Sequence, residues 1–550
     1  MNIGIGLAIL ALAVAWAWRV LNWVWLRPKK LERLLREQGF KGNPYKFLYG
    51  DLKESAKMIK ESKSRPIGLS DDPVPRIDPF VLQSVNTYGK DFFNWMGPTP
   101  RLNIMNPDHI KDIFSKIYDF EKPSQNPLVL LIANGLANHE GEKWATHRKI
   151  INPAFHLEKL KLMLPACYLS CNEMVTRWEK LTSTEESVEL NAWPDLRNLT
   201  RDVISRTAFG SCYEEGKIIF ELQIEQVELA IQYMQTVYIP GWRFVPTKTN
   251  RRMKYLTEEV HSLLRGIIGR REKSIRAGEA ATGDLLGLLL ESNMKEQHEN
   301  RGNKYTGMSI QDVIEECKLF YFAGQETTSI LLVWTVILLS IHPQWQDRAR
   351  EEVLQVFGRD GKPDLDGLNR LKIVTMILYE VMRLYPPGIM INRFTHKEMK
   401  LGKLTIPAGV ELSVPILLVH HDKEHWGEDA EEFKPERFSE GISKATKNQV
   451  VYLPFGWGPR ICIGMNFALI EAKMAMAMIL QSVNLYYFKV LTAFQFLSQT
   501  ILTIVEHRGA IVPCQIVAQK TGAVSETVDL DQNELIDVRP GGVELIYIVS

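Results

Sequence analysis

The sequence predicts a mixed fold, mainly α with small β-sheets, behind an N-terminal transmembrane helix. Three observations predict it: an apolar run at the N-terminus, long helical stretches punctuated by proline and glycine, and short strand-like stretches late in the chain. A length of 550 residues would allow two or three average domains. There is no internal repeat and no long low-complexity linker before about residue 480. We therefore divide the chain into a membrane anchor with its basic flank (1–30), one large domain (31–481) and a divergent C-terminal segment (482–550).

Ile3 to Leu26 is almost wholly apolar, interrupted by Arg19 and Asn22, and ends in Arg27, Pro28, Lys29 and Lys30. A bilayer core needs roughly 20 residues of helix, and Trp16, Trp18, Trp23 and Trp25 suit an interfacial belt. Arg19 can snorkel to reduce its cost. No small-residue cleavage site is evident, so the segment reads as an uncleaved anchor. Basic residues directly after the span, continued by Arg33 and Arg36, place the rest of the chain in the cytosol. The acceptor triplet Asn198, Leu199 and Thr200 is then expected to stay unglycosylated.

The formal net charge is +1 with both signs interspersed, which excludes a strong electrostatic case for nucleic acid and favours a small apolar partner. Six cysteines, at 167, 171, 212, 317, 462 and 514, are too sparse for a disulfide scaffold and lack paired metal-finger spacing.

The clearest helix begins at Ser309, where Ser309 and Asp312 form a capping-box pattern, and runs to His342 and Pro343. Pro343 suits the first turn of the next helix, which ends near Gly358. Another helix spans Leu368 to Leu384, before Pro386 and Pro387. Strands are expected at Lys403 to Ile406 and Val410 to Val414, parted by a turn at Pro407, Ala408 and Gly409.

Phe455 to Gly464 reads FGWGPRICIG, a glycine-rich turn that presents one thiol just before the helical stretch Met465 to Leu480. A helix N-terminus favours thiolate over thiol, so Cys462 suits a metal. Gly456, Gly458 and Gly464 allow close approach of a flat macrocycle, and Arg460 could pair with an acidic substituent on it. A lone cysteine before a helix is more often a small buried hydrophobe, but Phe455, Gly458, Arg460, Cys462 and Gly464 together match the haem-binding signature of the cytochrome P450 family. The chain closely resembles that family from about Leu31 to Leu480. The resemblance implies the cytochrome P450 fold, with haem b (iron protoporphyrin IX) between the long helix and the Cys462 loop. Cys462 would be the axial thiolate, which favours cleavage of the oxygen–oxygen bond.

Further motifs follow in the family's order. Ala323, Gly324, Gln325, Glu326 and Thr327 match its oxygen-activation motif; Gly324 would admit dioxygen close to backbone where the helix opens locally, and Glu326 and Thr327 would relay protons. Glu380 and Arg383 share a helix face and, with Arg437 in Pro435 to Phe438, resemble the family's buried structural network. Trp144 and Arg148, four apart, match its haem-propionate motif, and Arg393 supplies another such contact. Lys143 and Lys149 could meet an acidic reductase or form a solvated basic face. The family places its substrate pocket on the segments holding Phe320, Tyr321 and Ala323, and Ile389, Met390 and Ile391, with Leu128 to Ile132 nearby. Ordinary core is the plain alternative at these positions.

Tyr88 to Lys90 and Asn152 to Phe155 look most like the plant secologanin-synthase-like clan, which implies an oxygenated isoprenoid or plant hormone as substrate. The expected activity is monooxygenation using dioxygen, with electrons from NADPH through a separate flavoprotein reductase, on the cytosolic face of the endoplasmic reticulum membrane. No P-loop or dinucleotide fingerprint accompanies the haem signature. One rival is a haem-thiolate isomerase or dehydratase, against which Glu326 and Thr327 argue. Another is an inactive splice or frameshift product, suggested by the ending: from Ser482 the sequence leaves the family pattern, a makeshift strand pair fits Val490 to Val505, and from Gln515 no packed element is expected. Loss of the family's hairpin there would leave the pocket floor open.

Overall fold

The computed structural model describes residues 2–487 and 515–520, apart from 65–71, 124–125, 133, 183–187, 211–212, 235, 279–283 and 300–306. The apolar N-terminal run is a helix, Asn2–Leu21, that passes through a π-helical turn, Asn22–Leu26, into Arg27–Glu37. Leu7, Ile9, Leu10, Leu12 and Trp16 all point outward, which fits burial in lipid rather than in protein. The wide turn falls just before Pro28, whose missing N–H leaves the Val24 carbonyl without its helical donor. Tyr45 Oη donates to that carbonyl at 2.6 Å. Val24, Leu31 and Leu35 are buried, so the end of the anchor is docked onto the globular part.

The long helix, Ile310–Ile341, runs through the centre of the domain. Its capping box is formed: the Asp312 N–H donates to Ser309 Oγ at 3.1 Å, and the Ser309 N–H to Asp312 Oδ2 at 3.0 Å. Around it pack Ala192–Phe209, Lys372–Leu384 and Met465–Ser482, with Leu157–Thr182 packed on the first and last of these. Pro343–Phe357 follows and closes at Gly358, whose φ of 72° suits glycine. The expected single helix over Leu368 to Leu384 is corrected to two, Leu365–Arg370 and Lys372–Leu384, broken at Leu371. A distant carboxylate makes the break: Glu352 accepts the N–H groups of Lys372, Ile373 and Val374 at 2.7, 2.8 and 3.0 Å, capping a new N-terminus.

The two strands expected around the Pro407 turn form, as Leu404–Ile406 and Glu411–Val414, but they do not pair with each other. Leu404–Ile406 pairs with Met399–Leu401. Glu411–Val414 lies between Thr99–Asn103, parallel, and Ile391–Phe394, antiparallel. The five-stranded sheet has the order Lys41–Gly42, Phe92–Met96, Thr99–Asn103, Glu411–Val414, Ile391–Phe394. Its last strand carries Ile391 and Arg393 to the site described below.

The C-terminal segment is only partly described. Val483–Tyr487 continues directly from the helix Met465–Ser482, and Gln515–Lys520 pairs with it and with Val188–Asn191, antiparallel to both. The expectation of no packed element from Gln515 is therefore corrected at Gln515–Lys520, where β-branched Ile516 and Val517 suit a central strand. The strand pair proposed for Val490 to Val505 lies outside the described residues, as does everything after Lys520.

Candidate active site

Cys462 is held by a loop built for close backbone packing. Gly456 and Gly458 have φ of 73° and 75°, and at Gly458 a Cβ would meet the Phe114 carbonyl at 2.7 Å. The Cys462 N–H donates to the Phe455 carbonyl at 2.9 Å and closes the turn. The Cys462 side chain is exposed, yet surrounding protein pushes its thiol pKa up, against the lowering effects of the Gly464 N–H and Arg148. A side chain both accessible and hemmed in by protein lines an internal space. Burial thus opposes the helix terminus, which favours the thiolate, and a bound metal cation would add to the favourable side. Cys167, Cys171 and Cys317 are buried and free, and burial raises each of their thiol pKa values.

A cluster of cations borders the same loop. Arg148 Nη1 donates to the Ile461 carbonyl at 3.0 Å. Arg460 lies over the Trp144 ring at 4.7 Å, donates to the His139 carbonyl and pairs with Glu140 at 2.5 Å. Arg393 is buried over the Phe114 ring. Burial lowers the pKa of all three, Arg393 to about 10 with Arg460 adding to the fall. Lys122, which sequence reasoning missed, is pushed down to about 7 by burial and then by Arg460 and Arg393. Arg393 Nε and Arg460 Nε are buried without a hydrogen-bond partner. Desolvated, mutually repelling cations with orphaned donors are costly, and a dianionic group would relieve them. The accessible thiol and this cluster together fit the iron and the two propionates of haem.

On the long helix, Ala323 and Thr327 are exposed among buried neighbours. They stand one turn apart on one face, and Thr327 Oγ1 donates to the Ala323 carbonyl at 2.8 Å. Phe320, one turn earlier, is buried with its ring 6.0 Å from that of Phe155, and Phe155 borders Gly464. Three further placements follow from the same helix. Tyr321 is fully buried, stacked on Phe209 at 4.1 Å; two residues from Ala323 it lies about 200° around the helix, so it is core. Gly324 faces Ala192–Phe209, since a Cβ there would meet Ile204 Cδ1 at 2.7 Å; its smallness serves helix packing. The helix also remains unbroken from Ile310 to Ile341, although Thr200 Oγ1 donates to the Gln325 carbonyl at 3.0 Å.

Glu326 and Thr327 are not joined. Glu326 is buried and paired with Arg197, whose Nη2 lies 2.8 Å from Oε1, because successive residues on a helix point about 100° apart. Arg197 escaped the sequence reading because it is 129 positions away. Ile389, Met390 and Ile391 are half-buried, and Ile391 Cδ1 lies 3.5 Å from where a Cβ on Gly456 would be. Leu128 is buried; nearby, the Leu131 carbonyl accepts from Lys318 of the long helix at 2.8 Å. Lys143 pairs with Asp312 and Lys149 with Glu296, each at 2.7 Å, so both have partners within the protein. Thr200 is fully buried, which closes the glycosylation triplet in the folded chain.

The charged network forms away from the thiol. Arg383 meets Glu380 through two bonds, 2.8 and 2.7 Å, with both residues fully buried. Arg437 Nε adds an ion pair to Glu380 at 3.4 Å. Arg383 also donates to the carbonyls of His420, Ala430 and Glu432 at 2.9, 2.5 and 3.1 Å. His420 Nε2 accepts the Leu453 N–H at 2.9 Å, two residues before Phe455. The network therefore ties Lys372–Leu384 to the chain entering the Cys462 loop.

Comparison with known proteins agrees with this arrangement. The Cytochrome P450 family profile matches residues 78–492. Cytochrome P450 72A397 of Kalopanax septemlobus is 61% identical over 492 residues, 90% of this chain and 94% of that protein. Cytochrome P450 CYP72A219 of Panax ginseng is 61% identical over 464 residues, covering 84% and 89%. Cytochrome P450 72A15 of Arabidopsis thaliana is 55% identical over 493 residues, covering 90% and 94%.

Proposed function

Because the chain belongs to the cytochrome P450 family and is a haem monooxygenase, we propose that it inserts oxygen into a small apolar terpenoid or plant hormone. We further assign its electrons to NADPH through a separate flavoprotein reductase, and its place to the endoplasmic reticulum membrane with the catalytic domain cytosolic. The observation that carries the site assignment is the accessible Cys462 thiol beside half-buried Arg148 and the buried side chains of Arg393 and Arg460. The exposed N-terminal helix supports the anchor. The substrate class rests on the resemblance of Tyr88 to Lys90 and Asn152 to Phe155 to the secologanin-synthase-like clan.

When bound, haem supplies dioxygen activation, the hard chemistry that side chains alone cannot do. Cys462 would hold the iron from the loop side. Arg148, Arg393, Arg460 and Lys122 would hold the propionates and fix the ring's orientation, with Trp144 supporting Arg460 from behind. Thr327 holds a hydroxyl proton at Oγ1 on the exposed face of the long helix, and Glu326 keeps a carboxylate beside it under the control of Arg197. Phe320, Ala323 and Ile389 to Ile391 would shape the substrate space and exclude water. Metabolite profiling of cells expressing the chain with a reductase tests the substrate class: an oxygenated isoprenoid is expected, and products confined to fatty acids would overturn it.

Three variants probe this machinery. Thr327→Ala is expected to retain haem and to release several-fold more peroxide per NADPH consumed, of the order expected for one acid–base group; unaltered coupling would remove Thr327 from proton delivery. Ala323→Leu and Ile389→Ala change the volume of the pocket wall and are expected to shift product distribution by about tenfold, in line with ~1–3 kcal/mol per contact. Haem content should stay level in both. Identical products from the two would assign these side chains to the core.

A further inference from the structure

Behind the cation cluster lies a group of side chains that haem chemistry does not use. His139, His147 and Glu316 are all buried, and one ligand atom from each falls within 4.8 Å of the others. His139 and His147 meet edge to face with ring centroids 4.6 Å apart. His147 Nδ1 lies 2.6 Å from Glu316 Oε1, and His139 Nε2 lies 4.0 Å from the same oxygen. His139 is only 7% exposed, and its Nε2 has no hydrogen-bond partner. A buried imidazole nitrogen aimed at a carboxylate but too far to bond it carries an unmet desolvation cost. A cation between the three groups would meet it.

We propose that His139, His147 and Glu316 form a binding site for a zinc-class divalent cation, distinct from the haem site. Two imidazoles and one carboxylate are a borderline donor set that suits such an ion and leaves a fourth position for water. The surroundings fit as well. The Leu136 N–H donates to Glu316 Oε2 at 2.9 Å, orienting the carboxylate. Asp312 Oδ1 lies 4.0 Å from His147 Nε2, where it can support the imidazole's other nitrogen. Lys143 already balances Asp312 at 2.7 Å, so Glu316 brings the negative charge that faces the ion. Binding requires the His147–Glu316 contact of 2.6 Å to open by roughly 0.8 Å, to the ligand separation set by tetrahedral metal–ligand bonds of about 2.0–2.2 Å.

The ion would clamp His139 and the helix Gly141–Ile151 onto the long helix. Both lead straight to the cation cluster: the His139 carbonyl accepts from Arg460, and Arg148 follows His147 in sequence. The test uses the full, haem-loaded chain without a histidine tag, incubated with zinc, passed through gel filtration and assayed for zinc per chain by mass spectrometry. Wild type and the control His396→Ala, altered at a half-exposed surface histidine, are expected to retain one zinc each. His139→Gln and Glu316→Gln should each weaken retention by at least about tenfold. Haem content of each variant reports whether it folds. Zinc absent from folded wild type would overturn the site and leave a plain buried hydrogen bond. So would undiminished retention in both ligand variants.

Discussion

Cys462→Ala is expected to abolish the red-shifted absorption of the carbon monoxide complex of the reduced protein, the largest single effect in the molecule. The thiol is the accessible one among the described cysteines, and Cys167, Cys171 and Cys317 are held as thiols by burial and by nearby carboxylates. No described neighbour can therefore take its place. Arg148, Arg393 and Arg460 remain in the variant, so haem should still associate weakly, with the spectrum of a non-thiolate ligand or none. A red-shifted band of unchanged intensity would remove Cys462 from the assignment.

Glu380→Gln should be nearly as severe, but through folding. The substitution keeps the side-chain volume and removes the charge that faces Arg383, leaving a fully buried guanidinium without its counter-ion. Breaking a buried pair in this way costs about 3–5 kcal/mol, a large share of the ~5–15 kcal/mol that holds a typical domain together. The expected result is a several-fold fall in the ratio of haem absorbance to protein and a much shorter thermal inactivation half-life. Arg383→Met should not rescue it, because the carbonyls of His420, Ala430 and Glu432 would lose their donor. Full haem content in Glu380→Gln would show that the network is dispensable.

What the sequence made legible was local. The capping box at Ser309 and Asp312, the proline at the start of Pro343–Phe357 and the face shared by Glu380 and Arg383 are all set within one helical turn, and each forms. Cys462 and its glycines were legible because a tight turn needs particular residue types at adjacent positions. Partners brought together by the fold were not. Glu352 caps a helix 20 residues away, Arg197 takes Glu326 across 129 positions, and Glu316 meets His147 across 169. Lys122 looked like any surface lysine until the fold desolvated it.

The direction of a side chain was the other hidden quantity. Tyr321 and Gly324 belong to a run whose residues resemble those of a functional motif, but helical geometry sends Tyr321 into the Phe209 and Phe220 rings and Gly324 against Ile204. A register count from Thr327 separates Tyr321, six residues back, from Ala323, one turn back; Gly324, three residues back, is set apart only by its contact with Ile204. The C-terminal strand Gln515–Lys520 was invisible for a different reason. Its pairing is with Val188–Asn191 and Val483–Tyr487, and a short central strand needs no periodicity that extends beyond itself.

Monooxygenation by the 550-residue chain is tested most directly by turnover under isotopically labelled dioxygen, in membranes containing a reductase and NADPH, with a substrate identified by profiling. One labelled oxygen atom is expected in the product, with NADPH consumed in proportion to product formed. Product formed from a peroxide with neither NADPH nor label would identify an isomerase or dehydratase, and a fully haem-loaded chain that consumes no dioxygen would identify an inert haem protein; either result would exclude monooxygenation.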